Sequence, residues 1–185
     1  MRAICSLIMV LVISIICSAA QISINVDRMA MVEPSRDSLS TQNTLAAIHF
    51  TLPRMLDSVK ISYAEIVIPF DFSGIRISGE SMLELQAYPI AHEWTPESAW
   101  NNPWSARGND LDTLSSFSYT ITMGDRDRSR VYMDVTPFIK EIAGKSRQNY
   151  GLMISPRTFE TSAFQMPQSI IQQIRDSAIL RITYR

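Results

Sequence analysis

The chain has 185 residues, of which 46% are hydrophobic, and a formal net charge of -1. That length is enough for one domain with a sizeable core. The balanced charge, with no basic cluster, excludes an electrostatic affinity for nucleic acid or for an anionic membrane surface.

The N-terminal segment has the layout of a secretory signal peptide. Arg2 precedes an apolar run over residues 4–16, and Ser18 and Ala20 supply the small pair that signal peptidase requires. The run is shorter than the roughly 20 residues of a membrane-spanning helix. We therefore expect cleavage before Gln21 and export of the mature chain to the periplasm, the cell surface or the medium.

There are two alternatives to cleavage before Gln21. One is an uncleaved membrane anchor, and the other is cleavage before Cys17 followed by its lipidation. Both cysteines of the chain, Cys5 and Cys17, lie within the segment. The mature chain, residues 21–185, therefore has no cysteine, and neither disulfide nor thiol chemistry is expected.

Short stretches in which apolar and polar residues alternate dominate the mature chain. SFSYTITM is the clearest, with Phe117, Tyr119 and Ile121 on one face and serine or threonine on the other, as in a half-buried antiparallel strand. In chain order, the same pattern recurs in QISINV, AAIHFTL, YAEIVIPF, SMLELQAY, RVYMDV, YGLMIS and AILRITY. About eight short strands separated by turn residues are typical of a β-sandwich or barrel.

Two segments have helical spacing instead. In TPFIKEIAG, Thr136 is expected to cap the helix start, Pro137 suits the first turn and Gly144 ends the helix. The second segment, Ser169 to Asp176, places isoleucines at helical spacing, but so short a helix depends on tertiary packing. For this segment, a helix and a loop both stay open.

Four motifs follow one another between about Thr44 and Tyr184. They are AAIHFTLP with the strand VKISYAEIVI, the segment HEWTPESAWNNPW, the stretch VYMDVTPFIKEIAGKSRQNYGLMI and the closing ILRITY. In this order they resemble the DNRLRE domain family, with Trp94 and Trp100 at its tryptophan positions and Asn101 after them. The resemblance implies a secreted jelly-roll β-sandwich, related in architecture to carbohydrate-binding modules.

Alternation and resemblance together predict an all-β fold. We expect a jelly-roll-like antiparallel β-sandwich of about eight strands with one or two short helices. The signal peptide occupies residues 1–20, and residues 21–185 form a single DNRLRE-like domain.

All three tryptophans of the chain lie in HEWTPESAWNNPW, residues 92–104. Their flat rings suit the apolar face of a sugar, and neighbouring amides and carboxylates would fix its orientation. This hypothesis gives the candidate ligand residues Trp94, Trp100, Trp104, Asn101, Asn102 and Glu97. In the structural alternative, Trp94 and Trp100 mainly form a plug at one end of the sandwich, and Trp104 is the ring to test for ligand contact.

Asp125 and Asp127, two residues apart beside Gly124, are the candidate metal ligands. Carboxylates at such a turn suit a structural calcium ion, which binds several oxygen atoms. Arginines alternate with these carboxylates, so the alternative is a solvated hairpin tip with local ion pairs. No other cofactor is indicated.

Little in the sequence supports catalysis. The two histidines are His49, which alternation points outward from a strand, and His92, so no histidine metal triad can form. The Gly-x-Ser-x-Gly pattern of a serine hydrolase is absent from the sequence. Glu93 and Glu97, on either side of Trp94, are the candidate carboxylate pair for glycoside hydrolysis, but glutamates in loops are usually solvated. We expect no enzyme.

We therefore expect a non-catalytic, secreted or cell-envelope module that binds polysaccharide or a cell-surface glycan. The alternative is a structural or adhesion subunit of an extracellular or envelope assembly, with no sugar ligand. Against that alternative, the outward face of YAEIVIPFDF carries Tyr63, Glu65 and Val67, which is too mixed for an obvious subunit interface. We expect no nucleic acid partner and no membrane contact beyond the signal peptide.

Overall fold

The computed structural model describes residues 19–32, 45–69, 83–96, 111–112, 116–121, 130–158 and 168–185. Over these residues the chain is mostly β, with two antiparallel sheets that confirm the predicted all-β sandwich. The described part contains one strand more than the eight or so expected. The strands are β1 (Ala20–Asn25), β2 (Arg28–Val32), β3 (Leu45–His49), β4 (Ile61–Pro69), β5 (Leu83–Pro89), β6 (Phe117–Ile121), β7 (Arg130–Asp134), β8 (Leu152–Thr158) and β9 (Ile179–Tyr184).

The helices are short and join the strands. A 3-10 helix covers Arg54–Ser58, α1 covers Thr136–Ala143 and α2 covers Gln168–Ser177. The α2 segment, which the sequence left open, is helical and fully buries Ile174 in the core. This burial supplies the tertiary packing on which so short a helix depends.

The start of α1 differs from the predicted cap. The N-cap position is Val135 and makes no side-chain capping bond, so the expected cap at Thr136 is wrong. The Thr136 hydroxyl instead accepts a hydrogen bond from the Ala64 N–H of β4 at 2.8 Å. Gly144 ends the helix as expected, donating its N–H to the Lys140 carbonyl at 2.9 Å.

The two sheets differ in strand order. The four-stranded sheet has the order β1-β9-β4-β7, and the five-stranded sheet has the order β2-β3-β8-β5-β6. β1 and β2 are consecutive but lie at the edges of different sheets, so the chain passes from one sheet to the other over Val26 and Asp27. β1 pairs with β9, which places Ala20 opposite Tyr184.

The main core fills the space between the inner faces of the two sheets. Because side chains alternate along a strand, every second residue of each strand points into this space. The core includes Ala46, Ile48, Ala64, Ile66, Ile68, Leu85, Val131, Met133, Leu152, Ile154, Leu180 and Ile182. The intervening residues form the outer faces, and the outer face of the four-stranded sheet carries the candidate site.

Candidate functional site

The outer face of the four-stranded sheet presents three rows of side chains that run across the strands. We call this surface the tyrosine face. Strand register defines the rows as Gln21, Thr183 and Tyr63, then Ser23, Arg181, Glu65 and Asp134, and then Asn25, Ile179, Val67 and Tyr132. A charged row therefore lies between two rows that each end in a tyrosine.

Both tyrosines are exposed. Tyr63 is 40% and Tyr132 is 39% exposed, and Met55 is the other exposed large hydrophobic side chain in the described part of the chain. An exposed aromatic ring on a flat sheet offers a broad apolar surface with few rotatable bonds. Two such rings on one face give a surface suited to stacking against a ligand.

A β-bulge in β4 sets the direction of Tyr63. Ile61 pairs with Tyr184 and Tyr63 pairs with Thr183, which leaves Ser62 as the extra residue. Without the bulge, strict alternation from Ala64 would point Ser62 into the core and Ile61 to solvent. With it, Ile61 is buried and both Ser62 and Tyr63 are exposed.

A hydrogen-bonded network fixes the centre of the tyrosine face. Glu65 is only 8% exposed. Its Oε1 accepts a hydrogen bond from Arg181 Nη1 at 3.0 Å, and its Oε2 accepts one from the Tyr63 hydroxyl at 3.1 Å. Such pairing is required for a carboxylate so far removed from water.

The network also keeps Tyr63 protonated. Although the ring is exposed, partial burial of the Tyr63 hydroxyl raises its pKa, and the hydrogen bond with Glu65 and the negative charges of Glu65 and Asp134 raise it further. Arg181 opposes this effect in part. The hydroxyl is therefore a neutral donor at ordinary pH, which is the opposite of what an ionised tyrosine nucleophile would require.

Asp134 joins the face to α1. Its Oδ1 accepts a hydrogen bond from the Thr136 N–H at 2.9 Å, while the Thr136 hydroxyl bonds to the backbone of Ala64. The Val135 N–H also donates to the Ala64 carbonyl at 2.9 Å. These hydrogen bonds connect β4, β7 and the start of α1, and they fix the backbone that carries Tyr63, Glu65 and Asp134.

Glu65 and Asp134 face each other across β4 and β7. Glycoside hydrolysis uses a pair of carboxylates, so this pair is a candidate for that role. However, both oxygens of Glu65 accept hydrogen bonds from Tyr63 and Arg181, and Asp134 is bonded to the start of α1. Both carboxylates therefore already have hydrogen-bond partners within the protein.

Trp94 lies elsewhere, on the outer face of the five-stranded sheet. It is only 3% exposed and packs in a second small cluster with Ala30, Ala47, Ile90 and Met153. The two alanines and Met153 are neighbours across β2, β3 and β8. Their small or flexible side chains leave room for the indole against the sheet, so Trp94 covers an outer face instead of closing an end between the sheets.

Polar contacts hold Trp94 in place. Its Nε1 donates a hydrogen bond to the Tyr150 carbonyl at 2.6 Å. Arg28 donates from Nη1 to the Trp94 carbonyl at 2.6 Å, and its guanidinium lies 5.2 Å from the centre of the ring. An indole that is buried and bonded in this way has no ring face open to a sugar.

The segment that leads into β8 is held just as firmly. Asn149 donates from Nδ2 to the Phe50 carbonyl at 2.8 Å. Gly151 has φ +92°, and an added Cβ would collide with the carbonyl oxygen of Ile48. Both residues belong to the NYGL stretch and connect it to β3 and the segment that follows, so they act in the packing of the sandwich.

His49 lies opposite the main core, as alternation predicted, but it is only 8% exposed. Its Nδ1 lies 2.7 Å from Oδ1 of Asp27. Partial burial would raise the pKa of Asp27, but hydrogen bonds with Thr51 and His49 outweigh it and lower that pKa below the usual 3.8. The pair links the β1–β2 connection to the end of β3.

Most of the other sequence candidates lie outside the described residues. These are the ligand candidates Glu97, Trp100, Asn101, Asn102 and Trp104 and the metal candidates Asp125 and Asp127. Among the residues that are described, no three His, Cys, Asp or Glu side chains gather in a way that could hold a metal ion. No helix in the same ranges has the length and hydropathy needed to span a membrane.

The sequence contained a partial signal for the tyrosine face. Alternation in YAEIVIPF and RVYMDV already set Tyr63 and Tyr132 opposite the core residues of their own strands. The two tyrosines share one surface because β4 pairs with β7, and these strands are far apart in the sequence.

Comparison with known protein families and with curated proteins gives no match for the chain.

Proposed function

We propose that this protein is a secreted, non-catalytic module that binds polysaccharide or a cell-surface glycan through the tyrosine face. The observation that carries the proposal is the exposure of Tyr63 and Tyr132 on either side of the row that contains Glu65, Arg181 and Asp134. Export follows from the predicted signal peptide, and the resemblance to the DNRLRE family supports a polysaccharide-associated role.

The chemistry of the face complements that of a sugar. A pyranose has apolar C–H faces, which stack on aromatic rings, and a rim of hydroxyls, which need donors and acceptors. Tyr63 and Tyr132 supply the rings, while Arg181 supplies donors and Asp134 an acceptor. Because the hydroxyl of Tyr63 is bonded to Glu65, little side-chain freedom is lost when a ligand binds.

Charge at the centre of the face favours a sugar over a second protein. Charged residues are depleted from the cores of protein interfaces, which bury about 800 Å² on each partner. Here the centre consists of the Glu65–Arg181 ion pair with Asp134 beside it. Hydroxyl groups can bind to such a row without displacing an existing ion pair.

The experiment compares glycan binding by the exported protein and its variants on a polysaccharide panel, followed by titration calorimetry. We expect Tyr63→Ala and Tyr132→Ala each to weaken binding about tenfold, or 1.4 kcal/mol, without unfolding the domain. Met55→Ala is the matched control, because Met55 is similarly exposed but lies on the 3-10 helix. Trp104→Ala tests the tryptophan segment separately, and runs with and without calcium test Asp125 and Asp127 as ligands.

The results separate the proposal from its alternative. Loss of affinity in the tyrosine variants alone assigns binding to the tyrosine face, whereas loss in Trp104→Ala alone moves it to the tryptophan segment. Absence of binding to every glycan, together with self-association in sedimentation, would favour a structural or adhesion subunit.

A further inference from the structure

We infer, on the basis of the proposed glycan-binding function, that the ligand is an internal segment of an extended, unbranched chain that lies along β4 and β7. Tyr132 is opposite Val67, which is four residues beyond Tyr63 in β4. At strand spacings, this offset corresponds to about 13 Å along the strands and about 4.8 Å across them. The two tyrosines are thus about 14 Å apart from Cα to Cα.

A pyranose is about as large as a tyrosine ring, so one unit stacked on a single ring covers less than this Cα-to-Cα distance, although the Tyr63 side chain extends along β4 towards Tyr132 to reach Glu65. A ligand that uses both rings must therefore contain several sugar units. The ligand chain must also run roughly parallel to the strands, because Tyr132 is displaced from Tyr63 much further along the strands than across them. A straight, ribbon-like chain fits this line better than a coiled or branched one.

The row between the tyrosines serves the middle of such a chain. Glu65 is two residues from Tyr63 along β4, and Asp134 is two residues from Tyr132 along β7. Arg181 uses one guanidinium nitrogen for Glu65, and a guanidinium has five N–H donors in all. The central units would thus meet hydrogen-bonding groups, while the outer units meet rings.

Among the described residues, the face is open on its β1 side, while Glu65 and Val67 at its centre are only 8% and 3% exposed. The β1 side is lined by Gln21, Ser23 and Asn25, which are all exposed, and the opposite side is the edge strand β7. Recognition of a chain end requires a concave pocket that encloses the terminal unit. A flat face bounded by short polar side chains suits a chain that continues beyond it in both directions.

The test uses three unbranched series, the cello-, manno- and xylo-oligosaccharides, from the monosaccharide to the hexasaccharide. Calorimetry should show an affinity that rises at least tenfold with length and then levels off once the oligosaccharide spans both tyrosines. With the hexasaccharide, Tyr63→Ala and Tyr132→Ala should each lose about tenfold in affinity. With the disaccharide, which reaches one ring only, each variant should lose no more than about twofold, because the other ring remains.

Two controls accompany this series. Tyr63→Phe keeps the ring and removes only the hydroxyl, so it should retain most of the hexasaccharide affinity. Reduction of the terminal sugar to an alditol should leave the affinity unchanged, because an internal segment is bound.

Each outcome is informative about a different claim. Binding that depends on both tyrosines but is as tight for the monosaccharide, or is abolished by alditol formation, overturns the inferred chain orientation and leaves the proposed function intact. Absence of binding by every oligosaccharide and polysaccharide, or binding that is indifferent to both tyrosines, overturns the proposed role of the face together with this inference.

Discussion

Trp94 illustrates at the residue scale how an apparent ligand group can be part of the packing. In sequence it stands in a tryptophan-rich segment that suggests a sugar platform. In the structure its ring is buried over Ala30 and Ala47, and its Nε1 satisfies the carbonyl of Tyr150. The small side chains beneath it are what allow the indole to lie against the sheet.

Replacement of Trp94 should affect stability and leave binding intact. Trp94→Phe keeps an aromatic ring but removes the donor to Tyr150, and we expect it to lower the free energy of unfolding by about 2 kcal/mol. Trp94→Ala should cost about 3–5 kcal/mol. Denaturant unfolding measures both values. Glycan affinity of folded Trp94→Phe should equal that of the wild type, and a loss of affinity there would instead assign Trp94 to the ligand site.

Asp27 should make the stability of the sandwich depend on pH. Its pKa is lowered in the folded state, so the folded protein binds this proton less tightly than the unfolded chain. The resulting stabilisation is present above the usual value of 3.8 and is lost as pH falls through the lower, folded-state pKa.

The matched variant is Asp27→Asn. Its unfolding free energy should lie below that of the wild type by a constant amount at pH values well above 3.8, and the gap should narrow as the pH falls further. Denaturant unfolding at a series of pH values gives the gap directly. A gap that widens on acidification would show that Asp27 is not stabilised as a carboxylate by His49 and Thr51.

At the scale of elements, the bulge in β4 reconciles two requirements of one strand. Ile61 must face the core, and Tyr63 must face outward, although they are two residues apart and strict alternation would put them on the same face. Ser62 absorbs the mismatch and donates its hydroxyl to the Thr183 carbonyl at 2.9 Å. This one extra residue leaves both the core and the tyrosine face intact.

Deletion of Ser62 should therefore be tolerated. The remaining residues pair regularly with β9, Ile61 stays buried and Tyr63 stays outward, so we expect a change in unfolding free energy of about 1 kcal/mol or less. Deletion of Val67 is the control, because it removes a residue from an unbulged part of β4. The side chains on one side of the deletion would then point to the opposite face of the sheet. Thermal unfolding should show a folded protein in the first case and none in the second.

Prediction from sequence succeeded where the information is local. Alternation identified eight of the nine described strands but not β2, and the TPFIKEIAG pattern identified α1, because each signal lies within a few consecutive residues. It missed the bulge at Ser62 and the position of Trp94. Both depend on which strands pair and in what register, and these contacts join residues far apart in the chain. The tyrosine face was missed as a unit for the same reason.

At the scale of the whole molecule, β1 is an edge strand that, among the described strands, pairs only with β9. Ile22, Ile24 and Val26 nevertheless pack against the main core. The expected cleavage site before Gln21 falls one residue inside β1, so maturation would remove only the pair between Ala20 and Tyr184.

Truncation tests this arrangement. A protein that begins at Gln21 should be as stable as one that begins at Ala20, within about 0.5 kcal/mol. A protein that begins at Arg28 lacks β1 and should lose about 3 kcal/mol or more, because two partly buried isoleucines and a complete strand ladder are removed. Denaturant unfolding compares the three proteins. Equal stability of all three would show that β1 does not contribute to the fold.

The pairing of the first and last described strands also governs how the sandwich would respond to a pulling force. β1 and β9 are antiparallel, with Gln21 opposite Thr183 in the mature chain, so a load applied between these two residues acts perpendicular to the paired strands. The hydrogen bonds between β1 and β9 would then break one after another from the loaded end, whereas a force parallel to the strands would load all of them at once. A tether through both positions would peel β1 away at low force, whereas a tether through either one would leave the sandwich unstrained.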